Sequence, residues 1–248
     1  MRYFVEFSYN GKAYHGWQRQ PNSISVQEVL ETALSTILKE EISLLGAGRT
    51  DTGVHASQMF AHFDLNHIVD KSDLVYKLNS FLPTDIAVRD LFEVKPDAHA
   101  RFDALSRMYH YRISTSKNVF GFDFTYSIQQ PLNVEAMQEA CKILFDYKNF
   151  QCFSKSNTDV KTYNCDIMEA SWEKKDDEIL FIIKADRFLR NMVRAIVGTM
   201  VNIGLGKVKP EEMHQIIASK DRSKAGFSVP AHGLYLVEIT YPDDLKLK

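Results

Sequence analysis

Cysteine is scarce: three residues, at positions 141, 152 and 165. Their spacings of 11 and 13 match no C-x-x-C metal or redox pattern. An odd, sparse set suits a reducing cytoplasm, with the thiols buried. No run of about 18 apolar residues occurs, so no membrane-spanning helix is expected. The opening Met1-Arg2-Tyr3-Phe4-Val5-Glu6-Phe7 alternates like a strand and has no signal-peptide core. The expected fold therefore starts at Met1. A surplus of positive charge is also missing. Lys and Arg total 30 against 32 Asp and Glu, a net charge of −2, which counts mildly against a nucleic-acid partner until the charges are placed along the chain. No H-E-x-x-H pattern links His55, His62 and His67, so a zinc hydrolase is not indicated. What remains is ordinary for a globular chain: 45% hydrophobic and 25% charged residues. That excludes collagen-like and disordered classes. The 248 residues suit one large domain or two of roughly 100–150 residues.

The hydrophobic pattern repeats one architecture twice. Residues 2–9 read as a strand, and Gly11, Gly16 and Pro21 punctuate a long loop. Ser25-x-x-Glu28 is a capping box before a stripe through Val26, Val29, Leu30, Ala33, Leu34, Ile37 and Leu38. Strands are predicted at 42–47 and 58–65, a helix capped by Ser72 and ended before Pro83, and a strand from Ile86 to Val94. This is β-α-β-β-α-β, the split βαβ or ferredoxin-like order. The second half reads alike. It has a strand at 107–114, a helix capped by Asn133, and strands near 162–173 and 179–185. A long helix from Phe188 to Ile203, a further helix with Pro210 at its first position, and a strand at 235–241 complete it. The expected fold is α+β: two ferredoxin-like halves, 1–104 and 105–248, joined by a mixed, mostly antiparallel sheet with an active-site cleft between them.

Charge is unevenly placed. Residues 1–105 hold 10 basic and 14 acidic residues, and the remainder hold 20 and 18. Arg187 to Lys209 contains five positive residues and no acid. Spaced i, i+3, i+7, Arg187, Arg190 and Arg194 are expected to share one helix face. Arg101, Arg107 and Arg112 are interleaved with Phe102, Tyr109 and Tyr111. Guanidinium groups beside flat rings suit a partner with phosphates and bases. A solvated helix face plus outward strand charges is the plainer alternative.

The most unusual segment is Gly46-Ala-Gly-Arg-Thr-Asp-Thr-Gly-Val-His-Ala56. A strand runs into a glycine-flanked loop carrying Arg49, Asp51 and His55. The glycines permit tight turns and close approach of a ligand. Asp51 can be a nucleophile, a general base, a metal ligand or a turn cap. A neighbouring arginine favours the ionised carboxylate, and no second carboxylate lies close in sequence.

Gly48-Arg-Thr-Asp-Thr-Gly-Val-His-Ala56 resembles the catalytic motif of the tRNA pseudouridine synthase A family. So do Tyr9-x-Gly11-x-x-Tyr14-x-Gly16-Trp17-Gln18-x-Gln20 and Ala100-Arg-Phe-x-Ala104-x-Ser106-Arg-x-Tyr109-x-Tyr111. Phe188-Leu-Arg-Asn-Met-Val-Arg194 with Gly198, and Gly233-Leu-Tyr-Leu-Val237, complete the set in the family's order. Thr52 stands where relatives often have Ala or Lys.

The resemblance implies isomerisation of uridine to pseudouridine at positions 38, 39 and 40 of the tRNA anticodon stem-loop. It implies no cofactor and no metal, a cytoplasmic location and a homodimer. Asp51 would be the essential carboxylate, attacking C1′ or C6 or acting as a base on the sugar. Ordinary glycosidases instead use a carboxylate pair. The target base must leave its stack. Arg49 would fill the vacated space or clamp a phosphate, and Tyr109 would stack on the base. Arg194 would pair with Asp51, and Leu234 would wall the site. Arg101, Arg107, Arg112, Arg187 and Arg190 would hold tRNA phosphates. Two other classes compete: an RNA-binding module, which would need an RNP strand that is absent, and a glycosidic or nucleosidic hydrolase, which would need a second carboxylate or an activated water near Asp51, with Asp85 and Asp103 as sequence-distant candidates.

Overall fold

A computed structural model describes residues 1–156 and 160–247. Among them are nine strands and five α-helices, in the order β1 (Arg2–Tyr9), α1 (Val26–Leu38), β2 (Leu45–Gly46), β3 (His55–Asp64), α2 (Lys71–Phe81), β4 (Ile86–Val94), β5 (Ser106–Ser114), β6 (Tyr126–Ser127), α3 (Val134–Leu144), β7 (Ile167–Lys175), β8 (Glu178–Ala185), α4 (Met192–Gly204), α5 (Glu212–Ser219) and β9 (Leu234–Thr240). The class is α+β, with mostly antiparallel pairing. The chain divides into two compact units, Met1–Leu105 with Tyr235–Lys248, and Ser106–Leu234. Residues 235–248, which the sequence order assigns to the second half, group with the first unit.

In the first unit β1 pairs antiparallel with β3 on one side and β4 on the other. The outer edge of β3 is shared. β2 pairs antiparallel with it at His62 and Ala61, and β9 pairs parallel with it at His55 and Ala56. The order β4-β1-β3-β2 is ferredoxin-like. The Ser25 hydroxyl accepts the Glu28 N–H, fixing the start of α1 as expected. α2 begins instead on Asp70, whose carboxylate accepts the Asp73 N–H at 3.0 Å, so Ser72 lies inside the helix rather than capping it.

The strand expected at 42–47 shrinks to Leu45–Gly46. Ile42 and Leu44 are buried as their pattern suggests, but their backbone groups pair with side chains of α1. Ser35 Oγ accepts the Ile42 N–H, Glu31 Oε1 accepts the Leu44 N–H, and Gln27 Nε2 donates to the Leu44 carbonyl. Groups already satisfied this way need no ladder.

In the second unit β8 lies between β5 and β7, antiparallel to both, and β6 adds parallel to β5. Asn133 caps α3, its side chain accepting from the Ala136 N–H. The long helix does not begin at Phe188. Asn191 takes a left-handed φ of 67° and its Nδ2 donates to Ser228 Oγ at 2.6 Å, so α4 starts at Met192. Arg187 and Arg190 therefore lie in the segment before the helix, and the expected common face with Arg194 does not exist. Pro210 sits in the turn before α5, which starts at Glu212. The expected strand from 162 begins only at Ile167.

α4 is buried nearly all round and packs against the segment at 226–229. A Cβ on Gly198 would come within 1.8 Å of the Phe227 carbonyl oxygen. The Thr199 hydroxyl accepts the Gly226 N–H at 2.8 Å. Cys141, Cys152 and Cys165 are free and buried. Burial pushes each thiol up to about 12, which makes them inert core residues.

Candidate active site

In the first unit the Asp51 loop is braced by the segment that follows β1. The loop closes on itself through the Val54 N–H, which donates to the Asp51 carbonyl at 3.1 Å. The Thr50 carbonyl accepts from the Trp17 N–H, and the Gly53 N–H donates to the Tyr14 carbonyl. Gly53 takes a φ of 77° and Gly16 a φ of 86°. A Cβ on Gly16 would lie 2.3 Å from the Thr50 carbonyl oxygen, and one on Gly11 would lie 2.0 Å from that of Val54. Both glycines are thus required by backbone meeting backbone. Tyr9 adds a side-chain tie, its hydroxyl 2.8 Å from Thr50 Oγ1. Asp51 is half-buried at the centre of this loop, while Arg49 and Thr52 are exposed.

His55 supports the loop from its far end. Its Nδ1 accepts the Gly11 N–H at 3.1 Å, which places the proton of the neutral ring on Nε2. The ring stacks on Tyr235 at 4.7 Å. Tyr14 donates its hydroxyl to Asp85 at 2.7 Å. Burial first, and then Asp85, raises the Tyr14 hydroxyl above its ordinary value, so it stays protonated and keeps donating. Asp103 accepts the His99 N–H at 2.7 Å. Both carboxylates considered as partners of Asp51 are therefore engaged locally. Arg101 is exposed on the turn that Asp103 closes.

In the second unit Tyr109 is half-exposed on β5 and sets its ring edge-on to Phe188 at 5.2 Å. Arg107, two residues earlier on the same strand face, donates to the Asp186 carbonyl at 2.8 Å. Tyr111, further along that face, is fully buried and donates its hydroxyl to the Pro230 carbonyl. Arg112 points to the other face and makes a two-pronged pair with Glu178 at 2.7 and 3.0 Å. That engagement accounts for Arg112 as a strand ion pair. Arg194 Nε donates to the Val229 carbonyl at 2.7 Å. Leu234 is buried at the start of β9. The Arg187 backbone N–H donates to Asp186, and the Arg190 carbonyl accepts from Lys155.

A family model described as tRNA pseudouridine synthase matches residues 7–103 and 140–242. The chain is 51% identical over 247 residues to tRNA pseudouridine synthase A of Parabacteroides distasonis, covering 98% of this chain and 97% of that protein. Identity to the protein of the same name from Bacteroides thetaiotaomicron is 50%, over 98% of this chain and 92% of that one. With that of Thermoanaerobacter pseudethanolicus it is 42%, over 96% and 98%.

The chain belongs to the tRNA pseudouridine synthase family. It is an enzyme of the isomerase class. The matched stretches contain the Asp51 loop, Arg194 and Leu234, whereas Arg107 and Tyr109 fall in the interval between them. Sequence reading did not show that Tyr9, Gly11, Gly16 and His55 brace the Asp51 loop. Their signal was present as a motif, but its purpose becomes visible only when the 9–17 and 48–55 segments are seen in contact.

Proposed function

We propose that this chain isomerises uridine to pseudouridine at positions 38, 39 and 40 of the tRNA anticodon stem-loop, with Asp51 as the essential carboxylate and without a cofactor. The observation that carries this reading is the Asp51 loop itself. It is a single half-buried carboxylate on a turn whose neighbouring backbone is held by the 11–17 segment. A rigid mount of this kind suits a group that must meet one atom of an extruded nucleotide. The N1–C1′ bond breaks, the uracil turns, a C5–C1′ bond forms, the proton on C5 is lost to solvent and N1 takes up a proton, so that atoms balance. Asp51 starts the sequence by attack at C1′ or C6, or as a base on the sugar.

The other residues take roles suited to their settings. Arg49, exposed beside Asp51, fills the space of the extruded base or clamps a phosphate. Tyr109 stacks on that base. Arg194, whose Nε is held by Val229, pairs with the carboxylate through its terminal nitrogens, and Leu234 supplies an apolar wall. Arg101, Arg107, Arg187 and Arg190 hold phosphates. The local engagement of Asp85 and Asp103 favours isomerisation over a two-carboxylate hydrolysis. The enzyme works in the cytoplasm as a homodimer, which light scattering in solution tests directly.

The deciding experiment uses tRNA labelled with tritium at C5 of uridine. Wild type releases the label and retains the base on the tRNA. Asp51→Asn folds, binds tRNA and releases none. Release of free uracil by the wild type, or robust turnover by Asp51→Asn, overturns the assignment.

A further inference from the structure

A column of four rings runs from the core of the first unit to its surface. Phe4, with no exposed surface, stacks on His62 at 6.0 Å. His62, 2% exposed, meets His99 edge-on at 4.6 Å. His99 lies 4.3 Å from Phe102, and Phe102 is 73% exposed. Phe102 thus rests one side on His99 and keeps most of its ring in water, beside the Arg101 guanidinium.

The turn that carries Phe102 is rigidly held. The Ala100 N–H donates to His62 Nδ1 at 3.1 Å, and the Arg101 N–H donates to His99 Nδ1 at 3.1 Å. The Asp103 carboxylate accepts from His99, and the Asp103 N–H donates back to the His99 carbonyl. The Tyr241 hydroxyl donates to the Ala100 carbonyl, and Arg2 to that of Ala98. His62 Nε2 is buried without a hydrogen-bond partner among the described residues. That cost is tolerated at a ring whose other nitrogen helps to fix the turn. Arg101 places its guanidinium 5.7 Å from the centre of the Phe102 ring.

We propose that the His99–Asp103 turn is a preformed contact for RNA, with one unpaired base stacking on Phe102, Arg101 reaching the phosphate beside it, and His62 as the positioning residue beneath. This rests on the tRNA-isomerase reading and extends it. A flat base is the ligand that an exposed ring and an adjacent guanidinium accept together. The turn and the Asp51 loop are different segments of the first unit. His62 lies seven residues beyond His55 along β3, about 23 Å at the rise of a strand. The His99–Asp103 turn is thus anchored toward the end of β3 opposite to the one the Asp51 loop enters, and loss of the base held there weakens tRNA capture rather than the chemical step.

The test measures tRNA binding and tritium release for Phe102→Ala, Phe102→Leu, Phe102→Trp and Arg101→Gln. Phe102→Ala and Phe102→Leu raise KM and Kd about tenfold with kcat within about twofold, and Phe102→Trp restores both. The fluorescence of the introduced tryptophan is quenched by tRNA. Arg101→Gln reduces the slope of log affinity against log salt by about one. Unchanged tRNA affinity in Phe102→Ala overturns the proposal. So does full restoration by Phe102→Leu, which would mark a plain apolar surface such as a protein-docking face. Failure of the isomerase reading is distinct, because wild type itself would then release no tritium.

Discussion

The hydroxyl of Tyr9 and Oγ1 of Thr50 stand 2.8 Å apart, tying the end of β1 to the residue immediately before Asp51. Removing this tie leaves the ring of Tyr9 in the core and takes away one oxygen. The lost hydrogen bond costs about 1 kcal/mol of stability, too little to unfold a chain of this size. Its positional effect is larger, because a carboxylate displaced by a fraction of an ångström loses alignment. Tyr9→Phe is expected to lower kcat about tenfold with nearly unchanged KM. Paired tritium-release kinetics and denaturant unfolding separate the two effects.

Tyr109 presents a ring packed against Phe188 and a hydroxyl whose chemical use is a separate question. If stacking on the extruded base is its main role, Tyr109→Phe retains most activity and Tyr109→Ala loses roughly 10- to 100-fold in kcat/KM. Equal loss in both variants assigns the work to the hydroxyl instead. Neither change touches a buried position, so thermal unfolding should shift little.

Gly198 tests a contest between two known effects. Within a helix, Gly→Ala is ordinarily worth about 1 kcal/mol in favour of Ala. Here the added methyl would sit 1.8 Å from the Phe227 carbonyl oxygen, a backbone atom that moves only if the 226–229 segment moves. Overpacking of this kind costs about 1–3 kcal/mol, so the clash outweighs propensity. Gly198→Ala is expected to be destabilised, and to lose activity as well, because Val229 holds Arg194 Nε. A more stable variant would show that the segment yields freely.

The contrast between α1 and β2 shows how far the chain could be read in advance. α1 carries its own start signal, since Ser25 and Glu28 are three residues apart and α-helical hydrogen bonds are local. β2 depends on partners that pattern does not reveal, because Ile42 and Leu44 have strand-like alternation but bond to side chains of α1. The same limit hides the start of α4. Leu189, Met192, Val193 and Ile196 form a helical stripe, and the left-handed turn at Asn191, tied to Ser228, 37 residues on, takes the chain out of it. For the candidate site, the residue types around Asp51 were legible from their motif. The reason for Gly16 was not, because the Thr50 carbonyl it approaches is a long-range neighbour. The column through His62 was invisible for the same reason, since β3 alternation alone cannot show that both of its faces are covered.

His62 makes stability depend on pH in a window separate from that of the carboxylates. Burial, and then the positive charge of Arg2 and the neighbouring His99, push its pKa down to about 4, against weaker support for the charged form from Asp64 and Asp103. The unfolded chain, with an ordinary histidine near 6.5, therefore binds a proton that the folded chain refuses. Stability is complete above about pH 6.5 and falls as pH drops toward 4. A displacement of this size is worth up to about 3 kcal/mol from this one ring. His99 and His110 are lowered by burial too and act in the same direction. Asp64, lowered first by its hydrogen bond to Arg2, loses its contribution only below the ordinary carboxylate range. Unfolding by urea at pH 7 and at pH 4.5 should show the loss, and His62→Asn, whose amide oxygen can still accept the Ala100 N–H, should reduce it. A variant with the same pH slope as wild type would remove His62 as the source.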